Sequence, residues 1–523
     1  GPEGVKINLL GFQPVEIVKL LLIIFLAAYL ADRAELLADR SSRAGTAAPG
    51  AWRLNLPRMQ DLAPLLALFT LALGMFYIIR DMGPGLLIFA AAVCLLYLAT
   101  GRIGFITAGI LLILVGGVLG YYCHVGVFGI RVDMWLNPFS NHHPSGMQLG
   151  QGYWAISSGG TEGSGLGMGM MRLIPRGQDD LALTSWVEQT GIVGAMLVLS
   201  LYAVLVWRGV SIALRASSDL DRYLAFGLSA MMGMQTLLIA AGVTGAIPLT
   251  GITLPFISYG NTSVVASFVL IGLLYGISAS AADRPQVARL EVISAARRFC
   301  CVVTLLLLGG IGVMRVGVLS AVDADADALR PIYTPDADGV VRPHLNPRLA
   351  YMARRIPRGS IYDRFGLAVA ASGNPPIEGT DTPVAAGDFR SGVIRYPFGS
   401  ALAQLVGYTD RSAGGPTGLE SKYDAALRGY TDSAELLREY RNRNLPGFRL
   451  PRGADVRLAI DARLQRDLFH MVQSRLSEHG AGTDRAALVV LDPANGDVLA
   501  AVSTPSFDTN YLSRSKFLQY TTG

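Results

Sequence analysis

Eight apolar runs constrain this chain more than any other feature. A helix needs about 20 apolar residues to cross the hydrocarbon core of a bilayer. Runs of suitable length lie at about 14–31, 62–79, 84–99, 104–122, 187–207, 223–245, 263–281 and 299–318. With 51% hydrophobic and 16% charged residues, the chain is too apolar for a soluble protein of 523 residues. We therefore predict a polytopic α-helical membrane protein with seven closely spaced spans and a separate eighth.

The arginines predict how the spans are oriented. They are concentrated in the loops after the first, fifth and seventh runs, and arginine-rich short loops stay in the cytoplasm. The 123–186 loop and everything after about residue 320 are therefore expected outside the cytoplasm. Because these cytoplasmic arginines account for the formal net charge of +5, no nucleic-acid partner is inferred.

The composition of the sequence divides the chain into three regions. Residues 1–282 contain the seven spans, and 283–320 contain a basic stretch and the lone span. Residues 321–523 are polar and mixed, which indicates an extracytoplasmic α+β region. Within the last, "IDARLQRDLFHMVQSRLSEHG" predicts a helix capped by Asp461, and Asn495-Gly496 predicts the turn of a hairpin. The start, which lacks Met and a signal peptide, indicates a piece of something longer.

Several polar features have two possible interpretations. Glu16 and Lys19 in "FQPVEIVKL" form either an interfacial ion pair or the lining of a polar cavity. The 248–268 segment is either a plain connector or a loop that dips towards the membrane. The glycine-rich 150–169 loop allows either close approach to a ligand or flexible turns. Adjacent His142 and His143 have no further residues at ligand spacing, so we predict no protein-held metal site.

The pair Asp179–Asp180 in "LIPRGQDDLALTSWVEQTGI" precedes the fifth run. By itself, a carboxylate at this edge of the membrane is either a solvated loop residue or a catalytic group aimed at a lipid-borne substrate. The four cysteines fall in or at the ends of apolar runs, so no disulfide framework is expected.

Five separated elements in the first half, over residues 5–282, resemble the SEDS family of RodA, FtsW and SpoVE proteins that polymerise peptidoglycan. The family patterns are Q-P-[ST]-E-x-x-K, D-x-G, Q-x-x-Q with Ser-Gly-Gly, an Asp eight residues before a Glu, and L-P-F-x-S-Y-G. The matching residues are Gln13, Pro14, Glu16, Lys19, Asp81, Gly83, Gln148, Gln151, Ser158 to Gly160, Asp180, Glu188 and Leu254 to Gly260. Departures are Val15, Gln178-Asp179 and Asn261. The family has ten spans, and this chain resembles the last seven.

The resemblance implies glycosyl transfer between two lipid II molecules at a bacterial inner membrane, with undecaprenyl pyrophosphate as the leaving group. It makes Asp180 the catalytic base. It also implies a substrate-binding set of Glu16, Lys19, Asp81, Gln148, Gln151 and Ser258. Lys19, or a divalent cation such as Mg²⁺ or Mn²⁺, is expected to offset the pyrophosphate charge.

The second half, over about 298–523, resembles the start of class B penicillin-binding proteins. The segments that carry this resemblance are "RRIPRGSIYDRFGLAVAAS", "YPFGSALAQLVGY", "GPTGLESKYDAALRG" and "VVLDPANGDVLAAVSTPSFDTN". It implies a membrane anchor at 283–320, a pedestal at 321–455, and a transpeptidase domain from 456 that ends before its catalytic serine. Ser513 to Lys516 is not expected to be that nucleophile, and Arg358, Asp363 and Arg364 are expected to form structural salt bridges.

Two other functions fit the same sequence. A lipid II transporter or flippase also has many spans and a polar cavity, but its functional charges belong near the middle of the membrane. A non-catalytic scaffold among other cell wall synthesis proteins is the third possibility. The motifs do not distinguish a role in elongation from one in division.

Overall fold

The computed structural model describes residues 13–39, 82–101, 103–122, 128–140, 147–282, 310, 314–336, 338–372, 394–409, 416–478 and 485–511. The chain divides into two compact units, Gly1–Asn346 and Pro347–Gly523.

The described part of the first unit is built from helices. They are α1 (Pro14–Asp39), α2 (Met82–Thr100), α3 (Ile103–Tyr122), α4 (Phe128–Leu136), α5 (Met147–Gly159), α6 (Ala182–Arg215), α7 (Asp219–Val243), α8 (Asn261–Ala282) and α9 (Ala324–Leu329). All except α4, α5 and α9 are long and apolar enough to cross a membrane. These six confirm the prediction of a polytopic helical membrane protein. The predicted run at 62–79 and most of that at 299–318 lie outside the described residues.

Helix α7 is the most buried of the six and packs through small residues. A Cβ at Gly227 would lie 2.9 Å from the side chain of Ile23 on α1 and 3.0 Å from that of Leu95 on α2. A Cβ at Gly209 of α6 would overlap the hydroxyl of Ser229 on α7. Since lipid chains are as apolar as the helices, such close backbone contact is a main source of helix association in a membrane.

Residues 316–346 pack against α5 within the first unit. They contain a π-helical turn at Val318–Val322, α9, and an antiparallel hairpin of β1 (Ile332–Pro335) and β2 (Val341–His344). Ile332 is fully buried in the same core as Trp154 of α5, and the Trp154 indole N–H donates to the carbonyl of Arg330 over 2.9 Å. The first compact unit therefore continues beyond the predicted anchor and into the predicted 321–455 region.

The second unit mixes short helices and strands. Its elements are α10 (Pro347–Arg355), β3 (Ile361–Tyr362), β4 (Ala368–Ser372), β5 (Ile394–Arg395), α11 (Ala403–Val406), α12 (Gly418–Lys422), α13 (Asp424–Arg428), α14 (Ser433–Asn442), β6 (Val456–Arg457), α15 (Ala462–Glu478), β7 (Ala486–Leu491) and β8 (Val498–Thr504). One sheet has the order β5-β4-β3-β6, and β7 pairs antiparallel with β8. The predicted helix is α15, with Asp461 Oδ1 accepting from the Leu464 N–H over 3.1 Å, and the predicted hairpin is β7–β8.

The arginine-rich segment of the second unit is structural, although not through salt bridges alone. Arg358 pairs with the buried carboxylate of Glu420 and, at 3.2 Å, with Asp424. Burial raises the pKa of Glu420, an effect that the Arg358 guanidinium opposes. The fully buried Asp363 instead accepts from the backbone N–H groups of Phe365 and Leu367, because its carboxylate closes a tight turn between β3 and β4.

Candidate active site

Asp180 lies at the end of a tight turn that leads into α6. Its carboxylate is buried, at 3% exposure, and its Oδ2 lies 3.3 Å from Nη1 of Arg176. The turn is closed by the Arg176 carbonyl, which accepts from the N–H groups of Asp179 (3.1 Å) and Leu181 (3.2 Å). Arg176 adopts a φ of +53°, a conformation that is uncommon for a residue with a side chain. The carboxylate of the predicted base, Asp180, is therefore buried and ion-paired with Arg176, and it is not freely solvated.

The loop between α7 and α8 hydrogen-bonds to the backbone of this turn. Ser258 Oγ donates to the Asp179 carbonyl over 2.7 Å and accepts from the Leu254 N–H over 2.8 Å. The Tyr259 N–H donates to the Gln178 carbonyl over 2.8 Å, and the hydroxyl of Tyr202 donates to the Pro255 carbonyl. The predicted residue Ser258 is therefore brought directly to the segment that carries Asp180.

The same loop reaches the charged pair at the start of α1. Lys19 Nζ lies 2.8 Å from Glu16 Oε2, and the two side chains are 2% and 10% exposed. Thr253 Oγ1 donates to Glu16 Oε1 over 3.5 Å and lies 3.0 Å from the Ser263 hydroxyl. Residues 253–259 thus contact both predicted groups of charges, the Glu16–Lys19 pair and the Asp180 turn.

A pocket of about 320 Å³, measured with its open mouth, lies beside the charged pair. Its lining combines polar groups of α1, α7 and α8 with apolar side chains, and consists of Glu16, Lys19, Leu20, Met231, Met232, Gln235, Pro255, Ala266, Ser267 and Leu270. Both interpretations of the pair therefore hold, since it is an ion pair and it lines a cavity. Sequence reasoning missed Gln235, whose Nε2 donates to the Thr253 carbonyl over 2.5 Å; a glutamine within an apolar helix was the available signal.

The predicted glutamines lie on a separate element, α5, that approaches the Asp180 turn. Oε1 of Gln151 is buried and has no hydrogen-bond donor among the described residues. A Cβ on the neighbouring Gly152 would lie 3.5–3.8 Å from the side chains of Thr184 and Leu181. Gln148 lies one turn earlier on α5. Asp81 and the pair at 142–143 lie outside the described residues.

The glycine-rich loop after α5 packs on the chain's own backbone. A Cβ at Gly159 would lie 2.8 Å from the backbone of Glu188, and one at Gly163 would overlap the carbonyl of Gln189. At this point α6 is broken by Gly191, with φ of +64°. Glu188 is fully buried, and its Oε1 accepts from the Met170 N–H over 3.2 Å. The close approach that these glycines permit is therefore to α6.

Within the described ranges, no group of three or more His, Cys, Asp or Glu residues could hold a metal ion. The described residues alone therefore do not form a cage for Mg²⁺ or Mn²⁺. The divalent cation stays a prediction.

Comparisons with known proteins confirm the family resemblance of the first half of the chain. A family model for FtsW, RodA and SpoVE, described as "Cell cycle protein", matches residues 4–283. Peptidoglycan glycosyltransferase RodA of Mycobacterium leprae is 35% identical over 271 residues, which are 52% of this chain and 57% of the relative. Stage V sporulation protein E of Bacillus subtilis is 30% identical over 277 residues, or 52% and 70%. The chain spans little more than half the length of the RodA relatives that it matches.

Two solved structures are also similar to parts of the chain. A peptidoglycan synthase complex is 24% identical with a TM-score of 0.39, covering 52% of this chain and 71% of the other. Penicillin-binding protein A from M. tuberculosis is 28% identical with a TM-score of 0.23, covering 32% and 35%. Superpositions this loose do not define a shared fold.

Proposed function

This chain belongs to the FtsW/RodA/SpoVE family of cell cycle proteins, and from that membership we propose that its membrane domain polymerises lipid II into β-1,4 glycan strands. One observation carries the proposal. The 253–259 loop hydrogen-bonds both to the turn that bears Asp180 and to the buried Glu16–Lys19 pair. A general base and a cation are the two groups that an inverting glycosyl transfer needs.

In the proposed reaction, the 4-hydroxyl oxygen of an acceptor lipid II attacks the anomeric carbon of a donor lipid II. The bond from that carbon to the pyrophosphate oxygen breaks, and undecaprenyl pyrophosphate leaves with the electron pair. Asp180 accepts the proton of the attacking hydroxyl. Arg176 and the buried turn restrict the carboxylate to one position, which reduces the entropy lost on reaching the transition state.

Binding of the leaving group and the sugars is assigned to the residues around the loop. Lys19 lines the pocket between α1, α7 and α8, and its ammonium is the cation proposed to offset the charge of the leaving diphosphate. Gln148 and Gln151 lie one turn apart on α5 and keep their predicted role in binding the sugars. Ser258 acts through the Asp180 turn, while Asp81 keeps its predicted role in substrate binding. A divalent cation bound with the pyrophosphate remains part of the proposal.

The second unit is proposed to be an extracytoplasmic α+β module of the class B penicillin-binding protein type, joined in cis through a single-span anchor at 283–320. The Arg358 ion pairs and the Asp363 turn support a scaffold role for this segment. Family membership supports a location in a bacterial inner membrane, and the arginine distribution supports an orientation with the Asp180 turn on the outer side.

The test is polymerisation of labelled lipid II by the purified protein, comparing wild type with Asp180→Asn and Asp179→Asn. Asp179 is a matched control because it is the adjacent residue in the same turn and is half-buried. We expect loss of at least about 10²-fold in rate for Asp180→Asn, the contribution typical of a general base, and near wild-type rate for Asp179→Asn. Equal rates for the two variants contradict the assignment.

The lipid II transporter remains the second candidate because the Glu16–Lys19 pair lines a pocket among membrane-crossing helices. The transporter hypothesis predicts that Asp180→Asn still moves lipid II across the membrane of proteoliposomes and that the wild-type protein forms no glycan. A scaffold shows neither activity.

A further inference from the structure

The glycine-rich loop between α5 and α6 exposes large apolar side chains. Leu166 is 73% exposed, Leu173 is 41% exposed and Met171 is 36% exposed. Exposed apolar side chains grouped in one short loop indicate an interaction surface when they adjoin another such surface. The depth of this loop relative to the membrane-crossing part of α6 indicates which surroundings the exposed side chains contact.

The depth of the loop follows from the lipid-facing stripe of α6. This stripe consists of exposed apolar side chains between the break at Gly191 and Trp207, namely Val193, Leu197, Leu201 and Val204. Trp207, 59% exposed and followed by Arg208, marks the cytoplasmic interface. Gly191 is 16 residues (207 − 191) before it, or about 24 Å at 1.5 Å per residue. Since the hydrocarbon core is about 30 Å thick, the break lies within its outer edge.

The loop is fastened to α6 at that depth. The N–H groups of Ser164 and Gly165 donate to the carbonyls of Glu188 (2.8 Å) and Gln189 (2.9 Å). The Gly167 N–H donates to Gln189 Oε1 over 2.7 Å. Residue 189 lies four residues before Val193, the first residue of the lipid-facing stripe, on the other side of the break at Gly191. The loop segment that contains Leu166 is therefore held next to the outer end of a surface that faces lipid.

We propose that residues 166–173 insert into the outer leaflet of the membrane, as an extension of the lipid-facing surface of α6. The occupant is the bilayer itself, because the apolar side chains continue an apolar stripe and the exposed Arg172 between Met171 and Leu173 complements lipid phosphates. The loop ends at the turn that positions Asp180, so the bilayer anchors the approach to that turn. This contact is independent of whether the protein polymerises lipid II.

The test is a depth measurement in lipid nanodiscs with the full chain. Leu166→Cys is labelled with an environment-sensitive fluorophore, and its quenching by lipids with a nitroxide on the acyl chain is compared with that of Asp338→Cys. Asp338 is an exposed residue of the β1–β2 turn and gives the reference for a water-facing site. The unsubstituted chain, labelled in parallel, gives the background from native cysteines. We expect quenching at 166 at least about threefold greater than at 338, as for a group at the acyl boundary.

Equal quenching at the two positions overturns the proposal. A blue-shifted fluorophore at 166 that acyl-chain nitroxides do not quench also overturns it, because protein then covers the loop. Leu173→Cys provides a second site and should be quenched more than 338. Each labelled protein should have the elution volume and the unfolding temperature of the unlabelled chain. This control establishes that the loop is measured in the folded state.

Discussion

Ser258→Ala should weaken the candidate site without removing any charged group. Its hydroxyl accepts from the Leu254 N–H and donates to the Asp179 carbonyl, and the side chain is buried. A buried polar group that loses its hydrogen-bond partner costs about 1–3 kcal/mol. The two contacts together therefore contribute about 2–6 kcal/mol of local stability. The Tyr259–Gln178 hydrogen bond remains, so the turn shifts and does not detach. A shift of about 1 Å can reduce an enzymatic rate about 10²-fold, and we expect kcat to fall about tenfold to a hundredfold.

The assay is the initial rate of lipid II polymerisation over a range of substrate concentrations. Ser211→Ala is the matched control, because it removes the same atom from α6, where the hydroxyl only donates to the Trp207 carbonyl one turn earlier. KM should change less than kcat, since the two hydrogen bonds of Ser258 fix the segment that carries the proposed base. Amide hydrogen exchange at residues 176–181 should increase in Ser258→Ala and stay unchanged in Ser211→Ala.

A contrary result is that Ser258→Ala polymerises lipid II at the Ser211→Ala rate while exchange at 176–181 increases. That result would mean that the turn can move without cost to catalysis, and Asp180 would lose its place as the base. If neither exchange nor rate changes, the hydroxyl does not hold the turn.

Three further changes test other parts of the structure. Lys19→Met leaves a buried carboxylate without its cation, so thermal unfolding in detergent should show a loss of about 3–5 kcal/mol, whereas Lys19→Arg should lose less. Gly163→Ala should destabilise the protein by about 1–3 kcal/mol more than Gly167→Ala. Both glycines have positive φ, but only a Cβ at Gly163 would overlap a carbonyl. Chemical unfolding of the two variants measures the difference. Arg358→Met should cost about 3–5 kcal/mol at neutral pH, and less as the pH falls through the raised pKa of Glu420, where the carboxylate takes up a proton; unfolding of the second unit between pH 7 and 4 measures this.

Hydropathy predicted the membrane helices well but not their ends. The run at 187–207 lies within α6 (Ala182–Arg215), which is broken at Gly191. Hydropathy measures only the apolar character of the residues, so it detects neither the break nor the helical turns on either side of the apolar run. Helix α15 was predictable because its cap and its four-residue spacing are local. The end of the first compact unit at Asn346 was not, since it depends on the packing of residues 316–346 against α5.

The residues of the candidate site could be predicted from the sequence, but their contacts could not. Residue types and motif order identified Asp180, Ser258 and the Glu16–Lys19 pair as candidates, yet the contact between Ser258 and the Asp180 turn joins residues 79 apart. No local pattern encodes such a contact, because it is set by the way α6 and α8 pack. These contacts also distinguish Asp180 from a solvated loop residue, which the sequence alone could not do. Burial at 3% exposure is costly for a carboxylate unless it is paired. Arg176 supplies the charge partner, and the 253–259 loop hydrogen-bonds to the backbone of the same turn at Asp179 and Gln178.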